Sequence, residues 1–421
     1  MSDPYRALRS REFRLLFIAS TISVIGHFLQ SVALSWELYE RTGDALVLGT
    51  VGLIEFLPVL LFALPAGHVA DRFDRRTVAI VTRLCEACAA AALVWLSWTQ
   101  GPVLLIYAVL FITSMARTFQ GPASGALMPL TVRSEDFSNA VTWQTSSFQL
   151  AGMVAPAFAG GLIAWLAPVH IANGPINVGA TIGYAASAVL SRVSAFCFSQ
   201  LRIREQSRRR EAASLADVLA GVRFVFSQPL ILAAITLDLF AVLFGGAVAL
   251  LPVFAKDVLN VGPQGFGLLR AAPAIGAVVM ALLLTRMPPI RSAGRTLLWV
   301  VAGFGVATLV FGISKNFVLS LVALALTGAF DNVSMVIRGS LTPLLTPNAM
   351  RGRVAAVERV FISSSNELGA LESGLTAKSW GAIPSVIVGG IGTLVVVVLV
   401  AFAAPQLRRL GSLEEIQPVT E

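Results

Sequence analysis

Three carboxylates stand inside runs of apolar residues: Glu55 in GLIEFLPVLL, Asp238 in ITLDLFAVLFGG, and Glu367 directly after Ser363, Ser364, Ser365 and Asn366. Burial disfavours the charged form of a carboxyl group, so each of these can take up or release a proton as its access to water changes. The alternative for each is an ion pair or hydrogen bond to a neighbouring helix, and Arg270 is one available partner for Asp238 or Glu55. Ser20, Ser23, His27 and Gln30 follow spacings of three, four and three, which puts them on one helical face. His27 titrates near neutral pH when unperturbed. Arg117 and Asp331, opposite in charge, lie 214 positions apart in separate apolar runs. Metal chemistry has no ligand set: His68 and His170 fall at the edges of apolar runs, Cys197 is isolated, and Cys85 and Cys88 lie within alanine-rich sequence. No GxxxxGK[ST] loop is present, so no nucleotide cofactor is expected.

The elements that must hold these residues are set by composition. Of 421 residues 56% are hydrophobic and only 13% charged, with mean hydropathy +0.79. That is a membrane composition, and nucleic acid is not expected as a partner despite the net charge of +8. A helix crossing the bilayer needs roughly 20 apolar residues. Twelve such runs are expected, near 13–36, 45–70, 78–98, 102–124, 139–166, 177–199, 229–255, 263–285, 294–313, 316–338, 354–378 and 383–403. Arginines crowd alternate connections (Arg72, Arg75, Arg76; Arg202 to Arg210; Arg286, Arg291, Arg295; Arg351, Arg353; Arg408, Arg409), whereas the other connections hold only Arg41, Lys256, Lys315 and Lys378. This asymmetry predicts a cytoplasmic (inner) membrane protein with both termini cytoplasmic and a retained first helix. A charge at mid-bilayer costs at least about 2.5–3.5 kcal/mol. Arg83, Arg192, Arg338 and Arg359, nearer the expected inner ends, are expected to reach the headgroups with their long side chains.

The chain reads as a duplication. GALMPL at 125–130 and GSLTPL at 339–344 share four residues, and each follows an even-numbered run. An even number of spans per half makes the repeat parallel. The expected division is a six-helix bundle over 1–200, a cytoplasmic linker over 201–228 and a second six-helix bundle with a short tail over 229–421. Within the linker, Leu215, Val218, Leu219, Val222 and Val225 have helical spacing with Ser214 as N-cap, which predicts an amphipathic helix along the inner face.

Between the second and third runs lies GHVADRFDRR, and its pattern resembles the major facilitator superfamily: Gly67, then Asp71-Arg72, then the basic pair Arg75-Arg76. It departs at Asp74, where the family usually has glycine, and at Val69, where leucine is common. ARTFQGPASGA resembles the family's fourth-span pattern through Arg117, Gln120 and Gly121. AGMVAPAFAGG resembles the fifth-span antiporter pattern, keeping Pro156 and Gly160 but placing Ala151, Ala155 and Ala159 at glycine positions. LAGVRFVFSQPLILAAI, GFGLLRAAPAIGAVV and LTPNAMRGRVAAVERVFISSSNELGALESG resemble the branch containing enterobactin exporters and macrolide-type drug efflux proteins, over about residues 12 to 405.

The resemblance implies an all-α membrane protein of two pseudo-symmetric six-helix bundles that exports a small amphipathic molecule, a drug or a siderophore, by alternating access. It implies proton antiport, no cofactor and no enzymatic activity, and the protein is expected to act as a monomer in the lipid bilayer. Glu55, Asp238, Asn366, Glu367, His27 and Gln30 are expected at the substrate cavity or in proton coupling. Gly67, Asp71, Arg72, Arg75, Arg76, Arg117 and Asp331 are expected in inner-face gating, with Arg117 and Asp331 as an ion pair. An importer or lipid transporter on the same scaffold remains an alternative, as does a membrane enzyme or receptor.

Overall fold

The computed structural model describes residues 4–166, 169–171, 174–202, 215–348 and 350–412. The apolar runs form helices: α1 (Arg11–Thr42), α2 (Ala45–Arg72), α3 (Arg75–Trp98), α4 (Val103–Thr131), α5 (Phe137–Trp165) and α6 (Val178–Ser199). After α7 (Leu215–Ser227), α8 (Pro229–Phe244) continues through a 3-10 turn, a single α turn α9 (Leu251–Val253) and a π turn ending at Val258. Next come α10 (Gly262–Leu284), α11 (Ala293–Ile313), α12 (Phe317–Leu345), α13 (Arg351–Trp380), α14 (Ala382–Ala403) and the short α15 (Pro405–Arg408). One small addition to the expected all-helical chain is an antiparallel pair of three-residue strands, β1 (Val169–Ile171) with β2 (Gly174–Ile176).

Among the described residues eleven helical segments are long and apolar enough to cross a bilayer. The protein is therefore a multi-pass membrane protein. Of the twelve expected spans, the eleventh is the one not among these segments. Its residues do form a 30-residue helix, α13, but Arg351, Arg353, Glu358, Arg359, Glu367, Glu372 and Lys378 dilute its apolar character.

Polarity is distributed as a lipid-embedded bundle requires. Leu104, Trp165 and Phe402 expose most of their surface, while Ser194, Ser320 and Thr393 are fully buried. Buried hydroxyls bond backbone carbonyls of neighbouring helices, as Ser194 Oγ does to Ala19 O at 2.8 Å. Such bonds satisfy polar groups that lipid cannot. Helix starts are fixed by side chains that accept from the first free amides. Asn177 accepts from Ala180 N (2.9 Å) and Asn316 from Leu319 N (3.0 Å).

The chain forms two compact units. The first holds α1, α2 from Ile54 onward, α3 to α6, and Gly262–Gly267. Leu16, Ala19, Leu127, Phe198 and Leu201 form one part of its core. The segment before α1 is tied to the start of α5: Arg6 Nε lies 3.0 Å from Asp136 Oδ1, and Asn139 Nδ2 and Trp143 Nε1 both donate to Pro4 O at 3.0 Å. Gly160 of α5 lies against Gly267, and a Cβ on Gly160 would sit 2.7 Å from the Gly267 Cα. Pro156 O lines the same contact. The two residues retained from the antiporter pattern are thus where this helix admits a backbone at close range.

The second unit holds Thr42–Leu53, the chain from α7 to Val261, α10 from Leu268 onward, and α11 to α15. Here α7 packs on α13 and α8 through Val222, Val225, Val354 and Val357, and Gly221 lies against Arg353 O. The linker helix is thus built into this unit by one apolar face rather than resting free along a surface. Its expected cap, Ser214, and the basic run before it lie outside the described residues. The chain after α15 returns to the start of α11, where Gly411 O accepts from Ala293 N at 2.9 Å, filling the role that the Ser292 side chain leaves open.

Gly374 of α13 meets Gly49 of α2, where a Cβ on Gly374 would lie 2.7 Å from the Gly49 Cα. Backbone on both sides leaves nothing flexible to yield. Gly374→Val should lower the thermal unfolding temperature of the detergent-purified protein well beyond the effect of Val at Gly339, where a Cβ meets nothing within 4 Å. Equal effects at the two sites would contradict the close packing.

Candidate functional site: two buried charge clusters

In the second unit Asp331, Ser334 and Arg338 lie at i, i+3 and i+7 on α12, so they share a face. Arg338 directs its guanidinium along that face and across to α8. Nη1 lies 2.6 Å from Asp238 Oδ2, Nη2 lies 3.9 Å from Asp331 Oδ1, and Nε donates to Ser334 Oγ at 3.2 Å. The Arg338 and Asp238 side chains are 13% and 8% exposed, whereas Asp331 is 42% exposed. Both carboxylates line a small pocket whose other walls are Ala241, Val242, Val300, Val301, Phe304, Phe330 and Ser334. Arg338 thus fills the role for which Arg270 was a candidate, and it does not snorkel. It is buried against a carboxylate.

The first unit holds a second cluster. Arg83 and Glu86, at i and i+3 on α3, are joined at 2.5 Å. Arg117 of α4 lies 3.8 Å from Glu86 and 4.0 Å from Glu55 of α2. Ser114, one turn before Arg117, donates to the Glu55 backbone carbonyl at 2.6 Å and holds α2 to α4 there. Arg83, like Arg338, was expected to reach the headgroups and is instead buried in an ion pair. Glu86 was not singled out from sequence, although its mid-run position in LCEACAAAA and its i, i+3 spacing from Arg83 were the available signals. Arg117 and Asp331 each have an oppositely charged partner within their own unit, so the pairing expected of them is not needed to neutralise either.

In the loop motif the residue that breaks the family pattern has a definite job. Asp74 caps α3, accepting from Arg76 N (3.1 Å), Thr77 N (3.2 Å) and Thr77 Oγ1 (2.6 Å). Arg76 donates to the carbonyls of Phe198 and Ser199 at the end of α6, where the helix dipole is negative. Arg75 donates to Ala70 O at 3.3 Å and lies 4.0 Å from Asp71, tying α2 to α3. Arg72 is exposed. Gly67 is not required by packing, since a Cβ there would meet nothing within 4 Å.

The polar stripe of α1 divides. Ser23 and Gln30 are buried, and Gln30 Oε1 accepts from Ser187 of α6 at 3.0 Å, so Gln30 joins helices rather than lining a cavity. His27 is half-buried with its ring 5.6 Å from that of Phe28. On α13 Asn366 is exposed and bonds back to Ile362 O at 2.9 Å, and Glu367 is half-buried. Between α1 and α5 runs an apolar groove of about 350 Å³, lined by Phe17, Ile25, Leu29, Trp143, Leu150 and Phe158, with Thr21 and Ser147 as polar points. Their hydroxyls are paired at 2.6 Å.

Comparison with known proteins gives this geometry a family. Residues 2–417 match the model of the transmembrane secretion effector family of the major facilitator superfamily. The chain belongs to that family. It is similar to multidrug efflux pump Tap of Mycolicibacterium fortuitum, 26% identical over 94% of this chain and 96% of that protein. It is also similar to enterobactin exporter EntS of Shigella boydii, 23% identical over 94% and 92% of the two chains. Macrolide efflux protein A of Streptococcus pyogenes is 31% identical, but the match covers only 35% of this chain and 37% of that protein. Among solved structures, an inward-facing bacterial homologue of the human lysosomal transporter Spinster superposes with TM-score 0.72 at 13% identity, covering 97% of both chains. A peptide transporter superposes with TM-score 0.73 at 11% identity, covering 95% of both. These two share the fold. The family and the relatives are membrane transporters, not enzymes.

Sequence reading of this transporter also passed over a buried network near the end of α1. Glu37, 2% exposed, accepts from Tyr184 OH at 2.8 Å and lies 3.4 Å from Arg41. Arg41 in turn donates to Gly101 O. The pattern Glu37-x-x-x-Arg41 carried an i, i+4 signal.

Removing one member of a buried pair leaves an uncompensated charge and costs about 3–5 kcal/mol. Arg338→Gln should therefore destabilise the purified protein strongly, and adding Asp238→Asn should recover part of that loss. Thermal unfolding of the single and double variants checks this. Additive losses would mean that the 2.6 Å pair carries no coupling.

Proposed function

We propose that the protein is a secondary active exporter of a small amphipathic molecule, working by alternating access in the cytoplasmic membrane with both termini inside, as a monomer, and driven by proton antiport without a cofactor. The observation that carries the substrate class is the groove between α1 and α5. Its cavity volume of about 350 Å³, aromatic walls and few hydroxyls match the size and lining of sites that take drug-sized ligands. The full-length similarity to a multidrug efflux pump and an enterobactin exporter supports outward transport of such a molecule, a drug or a siderophore.

In this reading α13 is also a span, the eleventh in a chain of twelve. Its partner in the repeat is α5, which begins 214 positions earlier (Phe137 against Arg351) and also ends on a tryptophan, Trp165 against Trp380. The polar residues that lower its apolar character, Asn366 and Glu367 among them, would then line the substrate path rather than meet lipid. His27 would serve the same path. Asp71, Arg72, Arg75 and Arg76 would hold the inner ends of α2, α3 and α6 as that side closes. A proton-driven cycle needs carboxylates that change protonation with access, and the cluster of the second unit supplies candidates in Asp238 and Asp331.

The experiment is flux through purified protein in liposomes under an imposed pH gradient, with labelled macrolides, siderophores and dyes. The expected result is gradient-dependent movement of at least one class, opposite in direction to the proton, slowed by Phe17→Ala in the groove and by Asp71→Asn in the loop. Movement in the same direction as the proton would make the protein an importer. A lipid probe moved in preference to all three classes would make it a lipid transporter.

A further inference from the structure

The two buried clusters are not alike in charge. In the first unit two guanidinium groups, Arg83 and Arg117, face two carboxylates, Glu55 and Glu86. That cluster is balanced. In the second unit one guanidinium, Arg338, faces two carboxylates, Asp238 and Asp331. Among the described residues no ion pair other than those to Arg338 offsets this. α11 presents Val300, Val301 and Phe304 to the pocket. α14 contributes Val396 and Val397 to the apolar packing around α8. Glu358 of α13, whose carboxylate accepts from Thr342, adds further negative charge within electrostatic reach of Asp238.

A second carboxylate sharing one guanidinium at a pocket with apolar walls is costly where water is scarce, and binding a monovalent cation relieves that cost. The site also has a route for one. Asp331 stands 42% exposed at the pocket, while Asp238 is closed behind it with the 2.6 Å contact to Arg338. Asp331 is the fifteenth residue of the 29-residue α12, at the middle of its span.

We propose that the Asp238–Arg338–Asp331 triad is the protein's proton-binding site, that it holds one proton shared between the two carboxylates, and that the balanced Glu55–Arg117–Glu86–Arg83 cluster holds none. A carboxylate oxygen takes the proton and becomes a neutral carboxyl group, leaving one carboxylate for one guanidinium. Because the two acids share one arginine, the titration belongs to the pair and not to either residue. Arg338 can then exchange partners. With the proton on Asp331 it keeps the contact to Asp238, and with the proton on Asp238 it is free to turn toward Asp331, which lies on its own helix face. Movement of the guanidinium between α8 and its own helix would link protonation to how tightly those two helices are held. The coupling of this proton to substrate movement rests on the antiport reading above. Its binding does not.

The test needs no substrate. Infrared difference spectra of the purified protein in lipid, taken as pH is stepped through the neutral range, report the carbonyl stretch of any carboxyl group that gains or loses its proton out of water. The expected result is one such band in the wild type, abolished by Asp331→Asn or by Asp238→Asn, because either substitution leaves a balanced pair. The band should be retained in Glu55→Gln. Asp331→Asn is the milder variant, since its side chain is partly open, so the test survives poor folding of Asp238→Asn. A band that persists in Asp331→Asn, or is lost in Glu55→Gln, would overturn the assignment. So would loss of the band on adding sodium at constant pH, which would make the bound cation an alkali ion. If the assignment held and no compound in the flux panel moved with the gradient, the site would stand and the antiport reading would fall.

Discussion

A charge enclosed among apolar helices persists only beside an opposite charge, because neither lipid nor hydrocarbon side chains can replace the water it has lost. This constraint fixes which faces of the helices meet. Glu55, Arg83, Glu86 and Arg117 bring α2, α3 and α4 together at mid-span, and Asp238 with Arg338 joins α8 to α12. Around α8 the packing is built largely from alanine, valine and leucine. The charges supply register. A helix rotated by one residue would carry its arginine roughly 100° away from its carboxylate, so the ion pairs select one arrangement from many that would bury similar apolar area.

The repeat shows how one scaffold has come to hold two different electrostatic devices. α4 and α12 are both 29 residues long, beginning at Val103 and Phe317, and their fifteenth residues are Arg117 and Asp331. The same mid-span position is therefore positive in one half and negative in the other. On α4 the arginine balances carboxylates from α2 and α3. On α12 the counter-charge comes from Arg338, two turns further along the same helix, and is shared with α8. One cluster holds two arginines for two carboxylates, whereas the other holds one arginine for two.

Much of this was legible in the sequence, and the rest was hidden for identifiable reasons. Helix positions followed from hydropathy, because lipid enforces it over some twenty residues at a time. The expectation of a duplication rests on GALMPL and GSLTPL. Depth along a helix was legible, but rotation about its axis was less so. Arg83 and Arg338 were therefore assigned to snorkelling on depth alone, though each faces a carboxylate. Gln30 was placed on a cavity face although Ser187 of α6 meets it. Asp74 departs from a glycine pattern, while Asp directly before a helix start is itself a capping signal. The docking of the segment around Arg6 onto Asp136 and Trp143 joins residues about 130 positions apart, and no local pattern encodes it. α13 shows the reverse case: the sequence predicts a span over 354–378 and a helix forms there, but its charges leave it less apolar than the eleven helical segments that could cross a bilayer on composition.

The account turns on the claim that the second unit's cluster is one positive charge short and that a proton makes up the difference. The most direct measurement is a count of protons released when a transported compound is added to the detergent-purified protein in weakly buffered solution near neutral pH. The account predicts release of about one proton per protein molecule in the wild type and none in Asp331→Asn. Release undiminished in Asp331→Asn, or absent from a wild type that binds the compound, would contradict it.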